Sequence, residues 1–235
     1  MTASDSTSLT ERAHAALRRR ITRLELAPGE LVRLDELSDE LGIGRTPVRE
    51  AVQRLEREQL VRVVPRRGVF VTSVEVADLP LLYETRALLE PYAARLAAAR
   101  GTPAHWRAMS EALADADSDP SGPHRGDADT PAPRPRRGRG DDAVRRAGEL
   151  LDIDRRCHEI MWDAAANRFL VDTLDTLYAQ SERVWHLYLA DVTDMHDAIA
   201  EHALICEALR AGDGDTAARL AEAHVRSFDA QVRRA

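Results

Sequence analysis

The sequence contains no lysine, and all 33 of its basic residues are arginine. Together with the abundance of alanine and aspartate, this usage indicates a GC-rich coding sequence, so arginine as a residue type carries little functional information. Cysteine is also scarce, because only Cys157 and Cys206 occur in 235 residues. Two thiols are too few for a disulfide framework and are typical of a reducing compartment, where we expect them to be buried as small apolar side chains.

Long apolar runs are missing as well. No stretch approaches the roughly 18 uninterrupted apolar residues that indicate a transmembrane helix. The first residues, MTASDSTSLTERA, lack the basic and then apolar segments of a secretory signal. We therefore expect a cytoplasmic protein with no membrane partner. Its length is enough for one large domain or two modest ones with a packed core.

Charge is distributed unevenly along the chain. The formal net charge is −7, yet residues 1–75 hold 13 arginines and 12 acidic residues, whereas residues 76–235 hold 20 and 28. An acidic protein can still bind DNA where its basic side chains cluster. The N-terminal cluster consists of Arg45, Arg49, Arg54, Arg57, Arg62, Arg66 and Arg67.

Residues 1–75 contain the pattern of a helix-turn-helix. Apolar residues recur at helical spacing over residues 9–24 and again over LDELSDELG, where Gly42 ends the helix. A third helix follows at once in GIGRTPVREAV, and we expect Thr46 to be its N-cap and Pro47 its first residue. Two short helices joined by a tight turn are typical of DNA-binding domains.

The next segment, LVRVVPRRGVFV, has two β-rich runs separated by PRRG and predicts a hairpin. A hairpin directly after the third helix makes the domain a winged helix-turn-helix. The alternative is a solvated domain whose arginines only face water. The helix pair, the arginines at the start of the third helix and the basic wing tip occur together, however, and this combination favours DNA binding. We expect DNA contacts from the start of the third helix and from the wing: Arg45, Thr46, Arg49, Arg66, Arg67 and Gly68.

The periodicity of residues 76–235 is helical and predicts an all-α domain of about six helices, so the whole fold is mainly α. One segment departs from this pattern. Residues 117–140 contain five prolines, four glycines and no aliphatic side chain larger than alanine. Because this segment cannot bury enough apolar surface to offset its ordering entropy, we expect a disordered insertion.

Four side chains in the helical region form a potential metal site. Asp154 and His158 are four residues apart and share one helical face, while His202 and His224 lie in the apolar patterns of two later helices. One carboxylate and three imidazoles suit a divalent first-row ion, and zinc, nickel and manganese are all plausible. For each histidine singly, a hydrogen-bonded core residue is the alternative.

Two arginines lie on the apolar sides of helices, Arg86 in YETRALLE and Arg183 in QSERVW. Each could form an ion pair with a neighbouring glutamate. Alternatively, either could clamp the carboxylate of a bound effector.

These motifs together resemble the GntR family of transcription regulators. The segment LAPGELVRLDELSDELGIGRTPVREAVQRLEREQLVRVVPRRGVFV is similar to its DNA-binding domain, and the helical remainder resembles the FCD-type ligand-binding domain of the FadR branch. In that branch an Asp-x-x-x-His pair and two later histidines bind metal, and Asp154, His158, His202 and His224 match this pattern. Six helices instead of seven would favour the VanR-like subgroup.

The resemblance implies a homodimer that binds a palindromic operator and responds to a small carboxylate metabolite. Two features depart from the family pattern. Gly44 stands where a serine or threonine is usual, so one phosphate-contacting hydroxyl is missing, and the insertion at 117–140 is foreign to the usual compact bundle.

Three functions remain open at this stage. A ligand-responsive repressor accounts for all the motifs. A metal-dependent hydrolytic enzyme is the second, although no general base accompanies the ligand pattern and a winged helix would be superfluous. An architectural DNA binder, whose histidines only fill the core, is the third.

Overall fold

The computed structural model describes residues 8–117, 139–188 and 195–232. Within these ranges the chain is mainly helical with one small sheet, which confirms the predicted fold class. Contacts divide the chain into two compact units, Met1–Ala77 with Tyr178–Leu187, and Asp78–Leu177 with Tyr188–Ala235. Residues 118–138 of the predicted insertion lie outside the described residues.

The first unit contains a winged helix-turn-helix. Its helices are α1 (Leu9–Thr22), α2 (Leu34–Leu41) and α3 (Arg45–Arg57). Its strands are β1 (Leu31–Val32), β2 (Val61–Val64) and β3 (Gly68–Val71), which form an antiparallel sheet in the order β1-β3-β2. Leu17, Ile21 and Leu55 are fully buried in its core. The burial of each such side chain contributes about 1.5–3 kcal/mol, so the core fixes α3 relative to α1.

Helix α3 begins two residues earlier than the sequence predicts. Gly44 is its N-cap, with an extended backbone and no side-chain capping bond, and Arg45 is the first helical residue. The expectation that Thr46 is the N-cap is therefore wrong, since Thr46 lies inside the first turn. The physical reason is that the first four N–H groups of a helix have no intrahelical acceptor, so Pro47 at the third position loses no hydrogen bond.

The turn between α2 and α3 is closed by Gly42, as predicted. Its φ of 62° is left-handed, a conformation that glycine adopts without the steric cost of a Cβ. The N–H of Ile43 donates to the carbonyl of Ser38 at 3.1 Å, and the Ile43 side chain is buried. The turn is thus stabilised both by this backbone hydrogen bond and by the burial of the Ile43 side chain.

The second unit is a bundle to which six helices contribute in the described ranges. They are α4 (Leu79–Arg100), α5 (Pro103–Ala114), α6 (Arg139–Ala165), α7 (Arg168–Tyr188), α8 (Met195–Arg210) and α9 (Gly214–Val232). Helix α4 continues through Pro91 and packs against α6 and α9, and α8 packs against α5, α6 and α9. Among the described residues, no helix combines the length and the apolar character that crossing a membrane requires.

The second half of α7 belongs to the first unit. Ala179 joins its hydrophobic core, and the side-chain amide of Gln180 donates to the Glu58 carbonyl at 3.2 Å. Arg183 is fully buried and donates to the hydroxyl of Thr72 at 3.0 Å and to the Thr72 carbonyl. Helical periodicity shows which face of α7 is buried but not against which unit, so the sequence assigned all of α7 to residues 76–235.

Replacement of Arg183 by alanine is expected to destabilise the first unit. Hydrogen bonds from a charged donor contribute about 1.5–3 kcal/mol each, and the Thr72 carbonyl would lose such a donor. Urea unfolding followed by circular dichroism measures the loss. Arg168→Ala, at an exposed position of the same helix, is the control and should stay within about 0.5 kcal/mol of the parent protein. Equal stability of both variants would contradict the assignment.

Candidate DNA interface and metal centre

The start of α3 presents the predicted DNA-contacting side chains to solvent. Arg45, Thr46 and Arg49 are all exposed. The guanidinium of Arg45 lies 3.1 Å from Asp35, but both side chains are about three-quarters exposed, and such surface pairs contribute little. Arg45 can therefore exchange this partner for a phosphate or a base. The opposite face of α3 is buried through Val48, Ala51, Val52 and Leu55.

The wing tip is a tight turn in which an arginine holds a position that usually requires glycine. The N–H of Arg67 donates to the Val64 carbonyl at 3.0 Å, and Arg66 has a φ of 63°. With Pro65 at the second position, this matches a type II turn. A left-handed arginine costs roughly 1–2 kcal/mol, so the side chain of Arg66 does not stabilise the backbone of this turn.

Gly68 contributes to the shape of the wing. Its φ is +115°, and a Cβ at this position would lie 2.7 Å from Leu31 Cδ1. Because that atom ends a flexible and exposed side chain, the requirement for glycine comes from the positive φ. The predicted DNA contact of Gly68 could therefore involve only its backbone.

The four predicted metal ligands converge in the second unit. Asp154 and His158 come from α6, His202 from α8 and His224 from α9, and each is at most 1% exposed. One potential ligand atom from each lies within 4.8 Å of the others. Asp154 Oδ1 is 3.4 Å from His224 Nε2, which in turn is 3.2 Å from His158 Nε2. Helical spacing thus identified a true cluster.

Each imidazole has an oxygen acceptor at Nδ1. The pairs are His158 with Glu90 Oε2 at 2.8 Å, His224 with Glu201 Oε2 at 2.7 Å and His202 with the Ala198 carbonyl at 2.9 Å. An acceptor at Nδ1 favours the tautomer that carries its proton there. The Nε2 lone pair then remains available, and metal-binding histidines usually have such a partner.

The donor atoms fit a divalent cation. With a single proton on each ring, at Nδ1, the Nε2 atoms of His158 and His224 would face each other as two acceptors, a conflict that either a metal cation or a second proton on His224 resolves. Among the described residues, the buried Nε2 of His202 has no hydrogen-bond partner. Zinc bonds to nitrogen and oxygen of about 2.0–2.2 Å would separate neighbouring ligand atoms by roughly 3–4 Å, and the spacings of 3.2 and 3.4 Å around His224 Nε2 fall in this range.

The protonation states of Asp154 and His202 also favour metal binding. Although burial opposes ionisation of Asp154, the imidazoles of His202, His224 and His158 hold the pKa of Asp154 well below its usual range. Burial lowers the pKa of His202 to about 3. An ionised carboxylate and a neutral imidazole are the forms that coordinate metals. Burial opposes protonation of His224 too, but hydrogen bonds to Asp154 and Glu201 raise the pKa of His224 to about 9.

The two predicted effector-binding arginines lie in different units. Arg86 is 1% exposed and donates from Nε and Nη2 to Glu90 Oε1, at 3.0 and 2.6 Å. Since Glu90 also contacts His158, the Glu90 carboxylate connects Arg86 with one of the predicted metal ligands. Arg183 lies in the first unit, and its guanidinium donates to Thr72.

The sequence interpretation missed Glu90 and Glu201. Glu90 follows Arg86 by four residues, which suggested only an ion pair, and Glu201 precedes His202 directly. Neither spacing reveals a contact with a histidine on another helix. The signal that could have identified Glu90 is its position on an apolar helix face, where a carboxylate needs a partner.

Family models match both parts of the chain. The model described as FCD domain matches residues 81–227. The model described as bacterial regulatory proteins, gntR family, matches residues 9–71. Together the two matches include the four clustered ligands, α3 and the wing.

Individual proteins are similar over part or nearly all of the chain. An uncharacterized HTH-type transcriptional regulator of Agrobacterium vitis is 37% identical over 95 residues, which are 39% of this chain and 56% of that protein. The HTH-type transcriptional repressor RspR of Escherichia coli K12 is 23% identical over 95% of this chain and 88% of its own length. The structure of E. coli McbR/YncC has a TM-score of 0.74 at 20% identity, over 97% and 98% of the two chains, which shows a shared fold.

Loss of a clustered histidine is expected to abolish stable metal binding. His202→Ala and His224→Ala each remove one of four ligands, so metal retained after dialysis should fall from a stoichiometric amount to a trace. Elemental analysis provides the measurement. His196→Ala, at an exposed position of α8, is the control and should retain the parent content. Equal metal in all three variants would show that the cluster is not the binding site.

Proposed function

The chain belongs to the gntR family of bacterial regulatory proteins with an FCD domain, and from this premise we propose that it is a ligand-responsive transcriptional repressor. The family resemblance drawn from the sequence is thereby confirmed, and it indicates a regulator and not an enzyme. The observation that carries the proposal is the combination, in one chain, of an exposed arginine-bearing helix and a buried cluster of one aspartate and three histidines. The name of RspR supports repression instead of activation. A repressor of this kind would act in the cytoplasm, where it would bind operator DNA.

Operator recognition is assigned to α3 and the wing. Arg45 and Arg49 would enter the major groove, where arginine pairs bidentately with guanine O6 and N7. Thr46, exposed in the same turn, is placed to contact a phosphate. Arg66 and Arg67 would reach the DNA backbone or the minor groove, and Gly68 would allow the wing backbone to approach closely.

Sensing is assigned to the metal centre. Four protein ligands leave one or two positions on an ion that prefers five or six, and a small carboxylate could fill them. Zinc, nickel or manganese would satisfy the donor set. Of the two predicted effector arginines, Arg86 is the one beside the cluster, and we assign it, not Arg183, to neutralise remaining effector charge.

A divalent ion also suits the local charge. The buried groups around the cluster and the half-exposed Glu201 supply three carboxylates, Asp154, Glu90 and Glu201, against the single guanidinium of Arg86. With His224 neutral, the form in which it would coordinate a metal, these four groups leave two negative charges, which a divalent cation would neutralise. Burial of uncompensated charge is costly, so a cation supports both binding and packing at this position.

A two-fold dimer would present two copies of α3 to a palindromic operator. Helix α4 offers a surface for it, because Leu88 and Tyr92 are 73% and 51% exposed on one face. Two antiparallel copies of α4 would place Leu88 of one copy against Tyr92 of the other, and Glu84 against Arg95. The exposed pair of Arg95 with Asp215 at 3.0 Å is of the kind that contributes little, so Arg95 is free to change partner.

Operator binding is expected to depend on Arg49. Arg49→Ala should weaken specific binding by about 1–3 kcal/mol, the range for a lost base contact. Fluorescence anisotropy with the upstream region of the gene measures the affinity, and Arg12→Ala, exposed on α1 and outside the basic cluster, is the control. If Arg49→Ala and Arg45→Ala both bind the operator as the parent protein does, the assignment of α3 is wrong.

The same titration tests sensing. With manganese or zinc bound, a panel of di- and tricarboxylates should contain a compound that changes operator affinity several-fold to about a hundred-fold, the range of typical allosteric coupling. His202→Ala should bind the operator but show no response. A parent protein that binds the operator and responds to no carboxylate would refute the sensing mechanism and leave DNA binding intact.

Assembly is expected to depend on the exposed face of α4. Leu88→Glu should convert the dimer to a monomer, because each new carboxylate would be buried against Tyr92 of the other copy without a partner. Light scattering measures the mass. Leu204→Glu, at an isolated exposed leucine of α8, is the control and should remain dimeric. A monomeric parent protein, both free and bound to DNA, would contradict the proposed dimer.

A further inference from the structure

Glu90 is a completely buried carboxylate of α4 whose two oxygens serve different partners. Oε1 accepts hydrogen bonds from Nε and Nη2 of Arg86, at 3.0 and 2.6 Å. Oε2 lies 2.8 Å from His158 Nδ1 and accepts a weaker bond from Trp162 Nε1 at 3.3 Å. A planar group with bonds on both oxygens cannot rotate without breaking them, so its orientation is fixed by the fold.

The charge on Glu90 is secured by the same partners. The guanidinium of Arg86, a permanent cation, lies 2.6 Å from Glu90 Oε1 and favours the ionised carboxylate. The pair with Arg86 is 1% and 0% exposed, so solvent screens it little. An ionised carboxylate beside an imidazole accepts a hydrogen bond from the ring N–H and orients the ring.

We propose that Glu90 is a positioning residue of the metal centre. It holds His158 in the tautomer and ring orientation that direct Nε2 towards Asp154 and His224, and Arg86 in turn holds Glu90. This inference rests on the metal centre of the proposed function. It adds α4, which supplies no ligand, to the three helices that do.

The corresponding carboxylate at His224 is held less firmly. Glu201 is 32% exposed in its side chain and contacts His224 Nδ1 at 2.7 Å. Water could replace an acceptor at this exposed position, whereas Glu90 is fully enclosed by the protein. The two carboxylates should therefore contribute unequally to metal affinity, with the larger contribution from Glu90.

The arrangement also allows Arg86 to influence the metal centre indirectly, through Glu90. A carboxylate effector that attracts the Arg86 guanidinium would compete with Glu90 Oε1 for the same N–H groups. The hold of Glu90 on His158 would change as a result. Effector and metal would thus influence each other through one shared carboxylate, in addition to any direct coordination.

Metal titrations of the full chain test the proposal. Zinc affinity is measured by competition with a chromophoric chelator, and cobalt absorption reports the coordination geometry. Glu90→Gln should bind zinc about 10–100-fold more weakly and alter the cobalt spectrum, the effect typical of a lost outer partner. Glu201→Gln should show a smaller loss. Glu222→Gln removes a surface partner of Arg226 at the same spacing of four residues and should match the parent protein.

A second variant keeps the test decisive if Glu90→Gln does not fold, which circular dichroism of the metal-free protein would reveal. Arg86→Lys preserves the charge of Glu90 but not the two-point hold on Oε1, and it should weaken zinc binding measurably. Parent-like zinc affinity in every folded variant would overturn the proposal and leave the metal centre standing. A parent protein that binds no metal would overturn both.

Discussion

The burial of Asp154 among three imidazoles is the interaction on which the second unit depends. A carboxylate removed from water is costly unless charged or hydrogen-bonding groups surround it. Here the partners come from α6, α8 and α9, so satisfying one carboxylate fixes the relative positions of three helices. Glu90 of α4 contacts His158, so the same group of polar contacts also positions α4. The bundle is therefore organised around a polar centre as well as around its apolar core.

The two candidate sites use charge in opposite ways. Around Asp154 the charged groups are buried and paired, which makes them sensitive to the loss of any partner. Arg45 and Arg49 of α3 and the wing arginines are exposed, and a pair such as Arg45 with Asp35 is screened by water. Buried charge suits a candidate site that would hold one ion in one geometry. Exposed arginine suits a surface that must exchange water and counterions for DNA.

Helix α7 is one continuous element that contributes residues to both units. Its first half lies in the second unit, where Asp175 pairs with Arg155 of α6 at 3.0 Å. Its second half completes the core of the first unit through Ala179 and secures Thr72 through Arg183. The first unit is therefore built from two separate segments of the chain.

The sequence by itself determined the helices, the wing and the apolar helix faces on which the four clustered ligands lie, because each depends on local spacing. A period of 3.6 residues places Asp154 and His158 on one face, and glycine and proline mark the turns. Only the tertiary structure decided the partners of Glu90 and Arg183. Glu90 and His158 are 68 positions apart, and Arg183 and Thr72 are 111 apart. Such contacts follow from how helices pack, and one amphipathic pattern is compatible with many packing partners. For the same reason the sequence identified Arg86 and Arg183 as similar arginines, whereas the fold places one beside the metal centre and the other in the winged domain.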